Sequence, residues 1–235
     1  MVLLSTFELL VKPIAPTDNL GGLPPAVAKK LEKAARRVVQ GYFLTIANTT
    51  NSAASLVLDF IATTPNLNLV DTVIFRDILG TNDSSDLIPV AGDPKRFTST
   101  ITVPAHDTAL FSLLPDLQNL DLFTGTKSLE IRGYVKLSRR LSFGSNYELL
   151  VTPEHRGTFL PNNLDDSILD FDQIAYTLPV ASGGSLVTLP GFTLPIGTIE
   201  SSSQPSESNL TSNRGDLLSL MANRIAELED RLTNV

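Results

Sequence analysis

From Gln40 the apolar residues recur at every second position. Tyr42, Leu44 and Ile46 share one face, with Phe43 and Thr45 on the other. The polar run "NTTNS" (48–52) interrupts the pattern as a turn does. Alternation then resumes at Leu56, Leu58 and Phe60. It is clearest in "FTSTITV" (97–103), where threonine fills alternate sites. Further strands are predicted at Phe7–Val11, Val70–Phe75, Ala109–Leu113, Leu129–Leu137, Tyr147–Val151, Ile174–Leu178, Leu186–Leu189 and Phe192–Ile196. Short strands separated by turn residues every 8–12 positions predict an all-β fold, an antiparallel β-sandwich of immunoglobulin-like or jelly-roll-like type. A parallel α/β sheet is disfavoured, because no glycine-rich β–α unit is present.

Two stretches depart from the period of two. In "AVAKKLEKAARRV" (26–38), Val27, Leu31, Ala34, Ala35 and Val38 fall within an arc of about 100°. Lys29, Lys30, Lys33, Arg36 and Arg37 fall opposite. Pro24 and Pro25 suit a helix start, so an amphipathic helix is predicted near 26–38. The second departure follows "ESSSQPSESNLTSN", a polar stretch read as a flexible tether over 199–213. Residues 214–235 then predict a helix with Asp216 as N-cap. The expected domains are a β-sandwich over 1–198, the tether, and an oligomerising C-terminal helix.

The segment "YFLTIANTTNSAASLVLDFIATT" resembles the strand–turn–strand of many immunoglobulin-like sandwich domains. The resemblance covers 23 residues and does not name a family. The Cys…Trp…Cys marks are absent, since the chain contains neither residue.

In the terminal block, Leu218, Met221, Ile225, Leu228 and Leu232 occupy successive a and d positions of a heptad, and all are apolar. Arg224 falls at g and Glu229 at the following e, so the two can pair between parallel chains. Within one helix, Glu227 precedes Arg231 by four, the favourable order. "RIAELE" (224–229) also resembles the Arg-h-x-x-h-Glu signature of parallel trimeric coiled coils, which implies three chains. Two other readings stay open: the helix folds back on its own β-domain, or it docks on a different protein. An isolated helix of this length is marginal in water. The coil therefore works best where the β-domains also touch.

Composition narrows the chemistry. The 235 residues carry 18 basic and 25 acidic groups, a net charge of −7, which argues against nucleic acid as partner. Residues 26–40 hold five of the basic groups and one acid, leaving 13 basic and 24 acidic groups elsewhere, a net of −11. The basic helix is thus a candidate contact for an anionic surface. The alternative is that its apolar face packs on the β-domain while its charges are solvated. Without cysteine, thiolate chemistry and disulfides are excluded. No run of about 18 apolar residues predicts a transmembrane segment. The opening "MVLLSTFELLVKP" lacks the features of a signal peptide, so the expected location is cytoplasmic at synthesis. Later release, or incorporation into a larger particle, stays open.

Catalytic and ligating candidates are sparse. His106 in "VPAHDTALF" and His155 in "TPEHRGTF" both read as turn residues. With Asp107 and Glu154 they would need to converge to hold a metal. No G-x-S-x-G elbow supports a serine hydrolase. Asn82, Asp83 and Asp86, and Asp165, Asp166, Asp170 and Asp172, form acidic loops without EF-hand spacing. "RGD" at 214–216 resembles an integrin-binding tripeptide but coincides with the helix N-cap. Asn48, Asn82 and Asn209 begin N-x-S/T triplets. No cofactor is expected. The sequence reading is a non-enzymatic structural protein that forms a homo-oligomer through its C-terminal helix, a trimer by the signature of that helix. The alternatives are a multivalent recognition or adhesion module for glycan or protein ligands and, third, a hydrolytic or metal-dependent enzyme.

Overall fold

The structure is a computed structural model, and it describes residues 1–15, 22–64, 67, 69–140, 144–161 and 171–191, without the side chains of Glu32, Lys33 and Thr64. A compact unit spans Met1–Thr193, and a second unit, Leu194–Val235, lies outside the described residues. The predicted strand at Phe192–Ile196, the tether and the terminal helix therefore lie outside them too.

The described chain is antiparallel β-structure, as the alternating pattern predicts. Its strands are β1 (Val2–Pro13), β2 (Arg37–Asn48), β3 (Ala54–Thr64), β4 (Thr72–Ile78), β5 (Asp83–Ser85), β6 (Ile88–Val90), β7 (Asp93–Val103), β8 (Thr108–Pro115), β9 (Leu129–Arg139), β10 (Tyr147–Phe159), β11 (Asp172–Thr177) and β12 (Leu186–Leu189). Helix α1 covers Pro25–Ala34 and α2 covers Leu120–Thr124. Their ladders join in one sheet, β5-β4-β8-β2-β1-β9-β3-β7-β6, with β10 on β2 and both β11 and β12 on β10. The sheet curls into a half-barrel. β5 and β6 are neighbours in sequence but sit at opposite ends of the path, so Asp86 and Leu87 cross between the ends, and Leu87 is buried. Arg76 on β4 also reaches across, donating from Nη1 to Thr100 O on β7 at 3.1 Å.

β2 explains how the sheet turns. One of its edges carries β10 from Val38↔Phe159 to Asn48↔Leu149. The other edge is shared. Arg37–Gln40 pair with β1, and Tyr42–Ala47 pair with β8. Gly41 stands at the change of partner. A Cβ there would lie 2.4 Å from Leu114 Cδ2 and 3.1 Å from Leu113 O, so any larger residue would push the Leu114 side chain aside and crowd the β8 backbone.

The inward residues form one core around Phe7, Tyr42, Phe60 and Phe111. Phe60 stacks on Phe111 at 5.3 Å, and it meets Phe7 and Tyr42 edge-on. Burial of each large side chain contributes roughly 1.5–3 kcal/mol. Among the described residues, no helix is long and apolar enough to cross a membrane.

Three expectations are corrected. The first helix ends at Ala34, not near Val38, because Arg37 and Val38 are drawn into ladders with Pro13 and with Phe159 and Lys12. Its stripe is not packed: Val27 and Leu31 are 43% and 42% exposed. His155 is not in a turn but inside β10, which continues through Pro153 to Phe159.

Candidate functional site

The seam residues Leu218, Met221, Arg224, Ile225, Leu228, Glu229 and Leu232 lie outside the described residues, as do Asp165, Asp166, Asp170, Asn209 and the 214–216 tripeptide.

The five basic residues do not share one helical face. Lys29 and Lys30 are exposed on α1, and the side chain of Lys33 lies outside the description. Arg36 and Arg37 follow the helix and serve the backbone. Arg36 donates from Nε to Leu160 O at 3.1 Å and from Nη2 to Phe159 O at 3.0 Å, and it pairs with Asp172 at the start of β11. Arg37 donates to the carbonyls of Val11, Gly125 and Lys127. Partial burial lowers the pKa of its guanidinium from the ordinary value. These two arginines fasten β11 and the loop after α2 to the start of β2.

The two histidines are not brought together. His106 does lie in the predicted turn, with φ 55°, and its Nε2 is 2.7 Å from Asn51 Oδ1. His155 is buried and points to the core side of β10. Glu154 points away from it and pairs with Arg156. Among the described residues no three His, Asp or Glu groups are placed to hold a metal. Asn82 adopts φ 49° in the turn before β5, and Asp83 begins that strand. Asn48 is buried. Its amide nitrogen lies 2.8 Å from Ser52 O, 3.1 Å from Val103 O and 2.9 Å from Pro104 O, so it secures the turn after β2.

Among the described residues, a ring of polar groups surrounds His155. β1 pairs with β2 only from Leu10 to Pro13, and the edge left free before Leu10 is satisfied piecemeal. Ala181 N–H donates to Leu4 O at 2.8 Å, and Glu8 N–H donates to His155 Nε2 at 3.0 Å. A backbone N–H can only donate, so Nε2 carries no proton and the neutral ring is protonated at Nδ1. Nδ1–H then donates to Tyr176 Oη at 3.0 Å. Tyr176 donates onward to Gln40 Oε1 at 3.3 Å. Gln40 Nε2 lies 3.5 Å from the carboxylate of Glu8, where the ring began. Arg132 holds the other Glu8 oxygen at 3.0 Å.

Burial lowers the His155 pKa, and the Glu8 carboxylate partly opposes this. Burial likewise raises the Tyr176 phenol, with the charge of Glu8 adding to the effect. Tyr42 meets His155 edge-on at 6.3 Å, and its hydroxyl lies 3.0 Å from Ser5 Oγ; burial raises its pKa. Sequence reasoning missed this ring, because Pro153 suggested a turn and because Glu8 and His155 are 147 residues apart.

Several open clefts mark the surface of the described residues, and two of them are mainly apolar. A trough of about 460 Å³ is lined by Val39, Phe43, Leu114, Leu117 and Ile174, with Arg156 4.7 Å above the Phe43 ring. A second, of about 620 Å³, is lined by Leu3, Tyr134, Pro179 and Ala181, with Lys136 beside Tyr134.

No protein-family model matches the chain, and no curated protein matches it in sequence.

Proposed function

We propose that the chain is a non-enzymatic assembly protein, a β-body carried in three copies by a parallel coiled coil at its C-terminal end. The heptad register of Leu218, Met221, Ile225, Leu228 and Leu232, flanked by Arg224 and Glu229, carries this reading. The character of the β-body supports it. Arg36, Arg37, Asp59, Asp71 and His155 are engaged in bonds that tie strands and loops together. In this reading, the walls β4-β8-β2-β10 and β1-β9-β3-β7 act as the two layers of a sandwich-like block. Synthesis in the cytoplasm and incorporation into a larger particle belong to the same proposal.

Removal of residues 214–235 tests it. Light scattering of the whole protein is expected to give a mass near three chains of 25.4 kDa, and the truncated protein a mass near one. Equal masses for the two would remove the coil from the account.

A second reading is a recognition or adhesion module made avid by the same coil. The trough over Phe43 and Ile174 favours it, because a mainly apolar depression with one guanidinium suits a protein ligand. Lys29 and Lys30 are the exposed pair that would contact an anionic surface.

A further inference from the structure

We propose that the ring through Glu8, His155, Tyr176 and Gln40 is an acid-released latch, which holds β11 and the free edge of β1 to the body at neutral pH. The proposal concerns the β-body alone and does not depend on the coil.

Every bond in the ring has a fixed direction set by the Glu8 N–H. This donor demands an unprotonated Nε2 at 3.0 Å. When His155 takes a proton from solvent at Nε2, two N–H donors face each other and the bond is lost. The buried imidazolium is then held against a backbone dipole of the wrong sign. It has one favourable exit, towards the Glu8 carboxylate, and turning that way breaks the Nδ1–Tyr176 bond.

Among the described residues, the charged and titratable groups facing the ring are few. β1 supplies Glu8, β2 supplies the neutral phenol of Tyr42, β11 supplies Tyr176, and β9 supplies Arg132 through Glu8. Glu154 and Arg156 lie on the other face of β10 and pair with each other. Among the described residues, no second anion therefore stands ready to stabilise the imidazolium where it is.

What opens is set by how each strand is held. Among the described strands β11 pairs only with β10, and Ile174 is its one half-buried side chain, the others being exposed. Tyr176, directly opposite His155, is 47% exposed. β10 is held along its length by β2. The weakly held element is thus β11, and opening is local rather than global.

The experiment is amide hydrogen exchange of the intact protein between pH 7 and pH 5, corrected for the intrinsic pH dependence. The amides of Glu8 and of 172–177 are expected to lose protection by up to about tenfold per pH unit in acid, while those of β3 and β9 do not. His155→Gln, whose side-chain oxygen can accept from Glu8 N–H, is expected to show no such loss. The same slope in this variant, or a flat profile in the native protein, overturns the latch. Should the variant fail to fold, nitrogen NMR of the native histidines decides. His155 is expected as the Nδ1–H tautomer, titrating below the ordinary histidine value of about 6.5; the other tautomer, or titration at or above that value, overturns it.

Discussion

Asp59 and Arg96 meet side-on, with Nε 3.1 Å from Oδ1 and Nη2 2.9 Å from Oδ2. The partners are unequally placed, since the carboxylate side chain is 3% exposed and the guanidinium 42%. The bond raises the pKa of Arg96. Removing the exposed partner strands the buried one, so Arg96→Ala is expected to cost about 1–3 kcal/mol. Asp59→Asn keeps an acceptor in place and should cost less. Urea unfolding at pH 7 compares the two, and the reverse order would refute the assignment.

Gly133 on β9 faces Phe7 and the backbone of β3. A Cβ there would lie 2.1 Å from Ile61 O and 2.6 Å from Phe7 Cε1. Neither neighbour is a free side-chain end, so Gly133→Ala should destabilise by about 1–3 kcal/mol. Thermal unfolding would show it, and an unchanged midpoint would count against this register.

His155 also gives a pH dependence of overall stability. Its folded pKa lies below the ordinary value of about 6.5. Between those two values the unfolded chain binds more protons at this ring than the folded chain does. The contribution is therefore complete above about pH 6.5 and is lost as pH falls through the folded value. Subtracting the profile of His155→Gln from that of the native protein removes the carboxylate background. The difference should fall with acidification, and a rise would reverse the sign.

Arg36 and Lys29 carry the same charge but should respond differently. Arg36→Glu loses two carbonyl contacts and the Asp172 pair, so the midpoint of unfolding should drop. Lys29→Glu with Lys30→Glu should stay within about 0.5 kcal/mol, as exposed substitutions do. The Lys pair should instead weaken any binding to anionic vesicles.

Ile225→Asp places a charge in the proposed seam. It is expected to lower the oligomer mass seen by light scattering while leaving the melting of the β-body unchanged. A lower melting temperature at constant mass would favour a helix folded against its own chain.

The strands were legible where one face is buried and the other is not. β7 shows this best, with Phe97, Ser99, Ile101 and Val103 inward and threonines between. β5 and β6 were missed because three residues hold no period. The short α2 had a readable cap in Asn119 and a readable stop in Gly125 at φ 94°. β10 was cut short at Pro153, a residue that usually ends strands. Here Val151 N–H donates to Ser185 O and Leu178 N–H donates to Pro153 O on the outer edge, so the proline nitrogen faces the gap between β12 and β11, where no ladder bond is needed. The helix boundary failed for a related reason, since Val38 satisfies a helical stripe and a strand equally well. The His155 ring was not legible, because it joins side chains from four strands through topology alone.

The double engagement of β2 has a cost during synthesis. Its first edge finds β1 at once, but its long edge has no mate until Tyr147–Phe159 has been translated. At about 5–20 residues per second, that wait is on the order of ten seconds. Throughout it, Tyr42, Leu44 and Ile46 form a sticky template beside other nascent copies on the same message. Slower elongation or higher expression should therefore raise the insoluble fraction, and co-expressed holdase chaperones should lower it.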